Sequence, residues 1–290
     1  MIALTEAAER TGVVDVGGGL RDIFSAGVLD YCLDNGISFD VGIGVSAGSA
    51  NLASFTARQR GRNFVFYTEY AFRKQYMSME NFLREHSYID LDYIYGALSN
   101  DDGENPLDYQ ALRENPMEFE VVCTNALTGE AHYFSKEDLH QNSYEPLKAS
   151  SAIPFVCKPQ VIGGVPYYDG ALGDPIPIRR ALSLGCTKTV LLLSKPLSEK
   201  RTSKKDKLPA KMIEKAYPRA AEQLLARARR YNEDVALAQA FERQGRMLVV
   251  APDDTCGVDT LKKDRAALEE LYQKGYSQGS RVAEFLGATS

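Results

Sequence analysis

The chain has 290 residues, enough to bury a sizeable core as one large α/β domain or two small ones. Its 34 basic and 39 acidic side chains leave a net charge of −5, which argues against a dedicated nucleic-acid binder. Cys32, Cys123, Cys157, Cys186 and Cys256 are scattered and form no C-x-x-C pair. Neither a disulfide framework nor a zinc cluster is expected from them. The start at Met1 has no signal-peptide pattern, and no segment approaches the roughly 20 apolar residues that span a bilayer. A cytoplasmic protein is expected.

In chain order, Thr11 to Val16 reads as a buried strand ending in Gly17-Gly18-Gly19, and a helix with apolar positions from Ile23 to Leu33 follows, stopped by Asn35-Gly36. Val41 to Val45 is the next strand, although Gly42 and Gly44 weaken it. It breaks at Gly44-Val45-Ser46-Ala47-Gly48 into a helix that runs through Phe55. A serine there sits on a strained elbow, with glycines on either side leaving room and the helix amino end pointing at the hydroxyl. Strand, glycine loop, helix and strand make a β-α-β unit of a parallel sheet, so the glycine loop and the elbow open on the same edge. A dinucleotide loop would need glycine where Asp22 stands, and no Walker loop occurs. The bare N–H groups of Gly17, Gly18 and Gly19 are better suited to an oxyanion hole facing Ser46.

Phe64 to Tyr95 is rich in aromatics, which usually pack a core and alternatively line an acyl pocket. Phe119–Thr124 with His132–Phe134, and Val161–Ile162 with Val165–Tyr168, read as two hairpins. The second delivers Asp169-Gly170-Ala171. A helix through Leu184, a strand at Thr189–Leu193, and a basic loop over residues 195–211 follow. Lys200, Arg201, Lys204, Lys205 and Lys207 in that loop either are simply solvated or touch anionic lipid headgroups. Two helices around Arg219–Arg230 and Asn232–Gln244, a strand at Met247–Ala251 and a helix at Leu261–Phe285 end the chain. No repeat or linker divides it, so a single domain over residues 1–290 is expected.

A serine nucleophile needs a base, and none of His86, His132 and His140 lies in a short loop after a late strand. Either the enzyme reading fails or the base is a carboxylate. Three stretches together resemble the patatin-like phospholipase family: Gly17-Gly18-Gly19-Leu20-Arg21-Asp22, Gly44-Val45-Ser46-Ala47-Gly48 and Asp169-Gly170-Ala171. Their order matches the family's glycine-rich, G-x-S-x-G and D-G-[GA] motifs, and the flanks Ser25-Ala26-Gly27-Val28-Leu29, Ala149-Ser150-Ser151-Ala152-Ile153-Pro154 and Asp174-Pro175-Ile176-Pro177 match too. The resemblance covers about residues 13–193. A further likeness, to a bacterial subgroup of small patatin-like proteins, lies in the extension of about residues 210–290, through Thr260-Leu261-Lys262-Lys263-Asp264 and Leu271 to Tyr276.

The resemblance implies a three-layer α/β/α fold with a mostly parallel central sheet and a serine lipid acyl hydrolase of phospholipase A or esterase type. It implies a Ser46–Asp169 dyad, an acyl-enzyme intermediate, an oxyanion hole at Gly17 to Gly19, and Arg21, Gly44, Gly48 and Gly170 as motif-flanking residues, and the mechanism it implies calls for no metal or organic cofactor. Its substrate would be an acyl ester or phospholipid, with peripheral membrane contact as a further option; a thioesterase or transacylase, or a non-catalytic lipid-binding scaffold, are the alternatives. Asp22 stands where the family usually has glycine. Beside the oxyanion its charge would favour neutral esters over anionic phospholipids.

Overall fold

The computed structural model describes residues 9–85 and 87–288. Eight strands form one sheet: β1 (Thr11–Asp15), β2 (Val41–Val45), β3 (Glu118–Asn125), β4 (Ala131–Ser135), β5 (Gln160–Ile162), β6 (Val165–Asp169), β7 (Lys188–Leu192) and β8 (Met247–Val250). Their order is β5-β6-β3-β2-β1-β7-β8, with β4 beside β3 off that path. The pairs from β3 through β2, β1 and β7 to β8 are parallel. The β3–β4, β3–β6 and β5–β6 pairs are antiparallel. The sheet is therefore mixed, parallel on the side that carries the glycine loop and the elbow.

Helices flank it: α1 (Ile23–Asp34), α2 (Ala47–Thr56), α3 (Arg62–Thr68), α4 (Met79–Glu85), α5 (Tyr109–Glu114), α6 (Glu145–Ser150), α7 (Ile178–Ser183), α8 (Lys207–Ile213), α9 (Pro218–Glu242) and α10 (Arg265–Leu286). Alternation along the strands feeds two cores. Val13 of β1 joins Leu52 of α2 and Leu268 of α10 on one face, while Val14 joins Ile178 of α7 and Ala238 of α9 on the other. Helices thus cover both faces.

Gly42 and Gly44, which weaken β2 as a local pattern, have a packing role. A Cβ on Gly44 would lie 2.4 Å from the Ser49 Cα, so α2 can lie against β2 only where that strand has no side chain. The long-range partners of α1 come from the end of the chain. Gly27 faces the Tyr272 carbonyl and Gly275 faces that of Phe24, letting α1 and α10 touch backbone to backbone, while Tyr272 donates to Asp30 at 2.8 Å and Tyr276 to Asp34 at 2.9 Å.

Two expectations need correction. The pair of helices expected on either side of Tyr231 is one continuous helix, α9, because Tyr231 is buried against the sheet instead of marking a break. The basic segment 195–211 is not all loop: a 3-10 turn at Ser203–Asp206 leads directly into α8.

Candidate active site

β2 ends in Ser46, whose φ of 56° and ψ of −129° lie outside the regions that L-residues prefer. Three contacts fix that conformation. Ser46 N–H donates to Ser150 Oγ at 2.8 Å, Ser150 Oγ in turn donates to the Val122 carbonyl at 2.6 Å, and Ser49 Oγ donates to the Ser46 carbonyl at 2.6 Å. On the far side of the turn, a Cβ on Gly48 would lie 2.4 Å from the Asp15 carbonyl oxygen, so β1 and α2 approach as closely as the elbow requires. The amino end of α2 is left facing the serine hydroxyl.

β6 brings Asp169 to the same edge, 3 % exposed, with its Oδ1 accepting from Ala171 N–H at 2.8 Å. Burial pushes its carboxyl above the usual range; the Ser46 side chain, the Ala171 N–H and the positive charges of Arg227 and Arg201 pull the other way. Ser46 and Asp169 both line a polar cleft of about 360 Å³. Ser46 also lines a narrower apolar slot, about 70 Å³, walled by Phe66, Tyr76, Ile89, Leu91, Ile94 and Tyr95. Part of the aromatic-rich stretch therefore forms a cavity wall as well as core. The serine stands where slot and cleft meet.

Gly17, Gly18 and Gly19 follow β1 with φ of 68°, 147° and 63°; a Cβ on Gly17 would lie 3.0 Å from that of Ser46, while Gly18 packs on Ser194 and Gly19 on Thr260. They are not equivalent. Gly17 N–H is already committed to Asp15 Oδ1 at 3.1 Å, whereas Gly18 and Gly19 N–H have no acceptor among the described residues. Gly170, beside Asp169, packs on the Val122 carbonyl.

Arg21 reaches the 259–260 segment, donating to Asp259 at 2.6 Å and Thr260 Oγ1 at 2.9 Å, while Leu20 N–H donates to the Thr260 carbonyl at 3.0 Å. The glycine loop is thereby fastened to the 259–260 segment. Contrary to the expectation from the sequence, Asp22 does not face the serine. Its carboxylate is fully buried, accepts from Ser25 Oγ at 3.0 Å and Asn51 Nδ2 at 2.9 Å, and lines neither cavity. A site-facing charge there, and the preference for neutral esters built on it, has no geometric basis.

His132 and His140 are exposed on the surface and line neither cavity; His86 lies outside the described residues. Ser150, Asp15, Asn51, Thr260, Arg201 and Arg227 were not singled out as site residues. The sequence does signal Ser150, in the matching Ala149–Pro154 stretch, Thr260, in the matching Thr260–Asp264 stretch, and Arg201, in the basic run. The others depend on contacts between residues distant in sequence. Among the described residues no group of three His, Cys, Asp or Glu is placed to hold a metal ion.

The profile of the family described as "Patatin-like phospholipase" matches residues 16–182, more than half of the chain and all three motifs. The chain belongs to the patatin-like phospholipase family. A second profile, "Domain of unknown function (DUF6363)", matches residues 217–288, a stretch that includes β8, α10 and the Asp259–Thr260 latch on the glycine loop. Among curated proteins this patatin-like chain is 30% identical over 192 residues to the "Uncharacterized protein YjjU" of Escherichia coli, matching 64% of the chain and 52% of that protein. It therefore spans about half the length of that relative. Among solved structures it is similar to VipD from Legionella pneumophila, with a TM-score of 0.49 and 15% identity over 96% of this chain and 67% of that one.

Proposed function

We propose that the protein is a serine lipid acyl hydrolase in which Ser46 is the nucleophile and Asp169 its base, working without a histidine. The observation that carries this reading is the position of Ser46 at the junction of an apolar slot and a polar cleft that also holds the Asp169 carboxyl. An acyl chain fits the first and the alcohol part of the ester the second. Asp169 takes the Ser46 proton as Oγ attacks the carbonyl carbon, and the oxyanion forms against the free N–H groups of Gly18 and Gly19 and that of Ala47 at the start of α2. Collapse of this intermediate expels the alcohol, which takes the proton back from Asp169. Water, deprotonated by Asp169, then attacks the acyl carbonyl, and the acid leaves as Ser46 Oγ takes that proton back from Asp169. Residues 1–290 act as one unit in this reading, since the 259–260 segment holds the glycine loop. Labelling by a fluorophosphonate, located by mass spectrometry, tests it: modification at Ser46 is expected, and an unreactive Ser46 in folded protein would overturn the assignment.

The cleft also bears on the substrate. Arg21 and Lys205 are paired with Asp259, Lys195 with Glu199, and Arg227 with Asp206, but Lys200 and Arg201 have no carboxylate partner among the described residues. Burial and the adjacent Arg227 push the Arg201 guanidinium down to about 10. A partly buried cation whose charge is disfavoured gains most from an anion placed beside it. Arg201 therefore favours substrates with a negative group on the alcohol side, the opposite of the preference expected from Asp22. In Arg201→Ala the ratio of kcat/KM for an anionic to a neutral ester of equal chain length is expected to fall about tenfold, one charged hydrogen bond of about 1.5 kcal/mol. An unchanged ratio would remove Arg201 from recognition.

The same side of the molecule supports contact with a lipid surface. α8 exposes Leu208 and Met212, one helical turn apart and 61% and 55% exposed, among Lys204, Lys205, Lys207 and Lys211. Each cation adds about 1 kcal/mol near an anionic bilayer and each inserted apolar side chain about 1.5–3 kcal/mol. Co-sedimentation with phosphatidylserine vesicles is expected for the native protein and to be largely lost in Leu208→Asp/Met212→Asp. Equal binding by the two proteins would reduce α8 to a solvated helix.

A further inference from the structure

Beneath the glycine loop lies a polar group that the proposed reaction does not use directly. Asp15, the last residue of β1, and Asp22, just before α1, are both fully buried. The single amide nitrogen of Asn51, on α2, donates to Asp15 Oδ2 at 3.2 Å, to Asp22 Oδ2 at 2.9 Å and to the Asp22 carbonyl at 3.0 Å. Two carboxyl groups within reach of one nitrogen are neighbours of each other. Ser25 Oγ of α1 donates to Asp22, and Gly17 N–H donates to Asp15. The remaining neighbours do not supply a balancing charge. Tyr67 of α3 is neutral and reaches only the Asn51 Oδ1, at 3.4 Å, while the Arg21 guanidinium is engaged with Asp259 and Thr260. Two unpaired negative charges at such a distance in the interior would be prohibitive, and one retained proton removes the problem.

We propose that Asp15 and Asp22 share one proton at neutral pH and act as a single positioning unit, an acid pair that holds the glycine loop and the helix behind the nucleophile in register. Asp22 keeps the proton and donates it to Asp15. Asp15 keeps the charge and uses it to hold Gly17 N–H. Fixing that N–H anchors the start of the glycine loop, whose next two N–H groups, on Gly18 and Gly19, are left without an acceptor among the described residues beside the cleft that holds the serine. Asn51 couples the same pair to α2 one turn beyond the elbow. Burial raises both carboxyl groups, and the Asp15 charge raises Asp22 further, the direction that places the proton on Asp22. This unit explains why an aspartate is tolerated where the glycine motif ends: it is half of a pair whose other half is Asp15.

The role rests on the assignment of Gly18 and Gly19 as oxyanion donors, and the test separates the two ideas. Unfolding exposes both carboxyls to water, where they ionise near pH 3.9, so at pH 7 unfolding of the native protein should release about one proton more than unfolding of Asp22→Asn. Calorimetric unfolding in buffers of different ionisation enthalpy measures this without any reference to catalysis. Equal proton release would overturn the shared proton. For positioning, Asp22→Asn keeps a donor toward Asp15 and should retain kcat within about threefold, whereas Asp22→Leu should lose about tenfold or more in kcat with little change in KM, part of the 10²–10³ that one oxyanion donor contributes. Wild-type kcat in a folded Asp22→Leu would overturn the positioning role. Absence of fluorophosphonate labelling in the wild type would instead strike at the nucleophile assignment and leave the proton count standing.

Discussion

Ser46→Ala is expected to lower ester hydrolysis by on the order of 10⁴-fold or more, and Asp169→Asn by nearly as much, with both proteins folded. The two variants should differ in stability. Ser46→Ala removes one hydroxyl but keeps the Cβ, and with it the strain of a non-glycine residue at φ 56°, so its melting temperature should change little. Asp169 is a buried carboxylate whose folded pKa lies above its unfolded value. Its contribution to stability is therefore full below the unfolded value near pH 3.9 and is lost as the pH rises through the elevated folded value. At pH 7 the ionised form is a burden on the fold, and the neutral amide of Asp169→Asn should raise the melting temperature while abolishing turnover. The same shift predicts that activity falls on the acid side at a pH above the ordinary carboxylate range, as the base becomes protonated. Measurement of kcat in the wild type, in parallel with thermal unfolding of the wild type and both variants from pH 3 to 8, checks this. A less stable Asp169→Asn at pH 7, or full activity well below pH 4, would remove Asp169 as the buried base.

Gly275→Val is expected to have the largest effect of any substitution outside the cleft. A Cβ at that position would lie 2.0 Å from the Phe24 carbonyl oxygen, a clash with backbone that no side-chain rotation relieves. Forcing α1 and α10 apart should cost on the order of 3 kcal/mol or more, the upper end for overpacking. The molecules that remain folded should also turn over slowly, because α10 follows directly on the Asp259–Thr260 latch that holds Leu20 and Arg21. Gly96→Ala is the control, since nothing lies within 4 Å of a Cβ there. Unfolding by denaturant and turnover per folded molecule measure the two effects. Native stability in Gly275→Val would mean that the helices are not packed as closely as described.

What the sequence made legible was the local part of the site. Gly17 to Gly19, Ser46 and Asp169 each sit at the end of a strand whose apolar run could be read directly, and the parallel pairing of β1 with β2 brings the first two stretches to one edge. The hairpins of β3–β4 and β5–β6 were equally local. Long-range pairings were not legible. A pattern of alternation reports that Asp15 and Asp22 flank a buried segment, but not that both meet Asn51 of another helix. Nor does a basic run reveal that Arg201 is folded back toward the cleft over the Tyr231 ring while Lys204 remains in water. Gly42 and Gly44 show the same limit from the other side, since intrinsic propensity scored against β2 while the packing of α2 required it.

The latch between Arg21 and residues 259–260 joins positions some 238 apart in the chain, and α10 lies beyond it. During synthesis the glycine loop, the serine elbow and the aspartate all leave the ribosome well before the segment that fastens them. At about 5–20 residues per second, the interval between Asp169 and Leu286 amounts to roughly 6–23 seconds in which the nascent chain holds every reactive group but lacks the docked α10. The latch thus ties the geometry of the glycine loop to a segment that emerges late, and the loop can settle against its fastening only after residues 259–260 have left the ribosome.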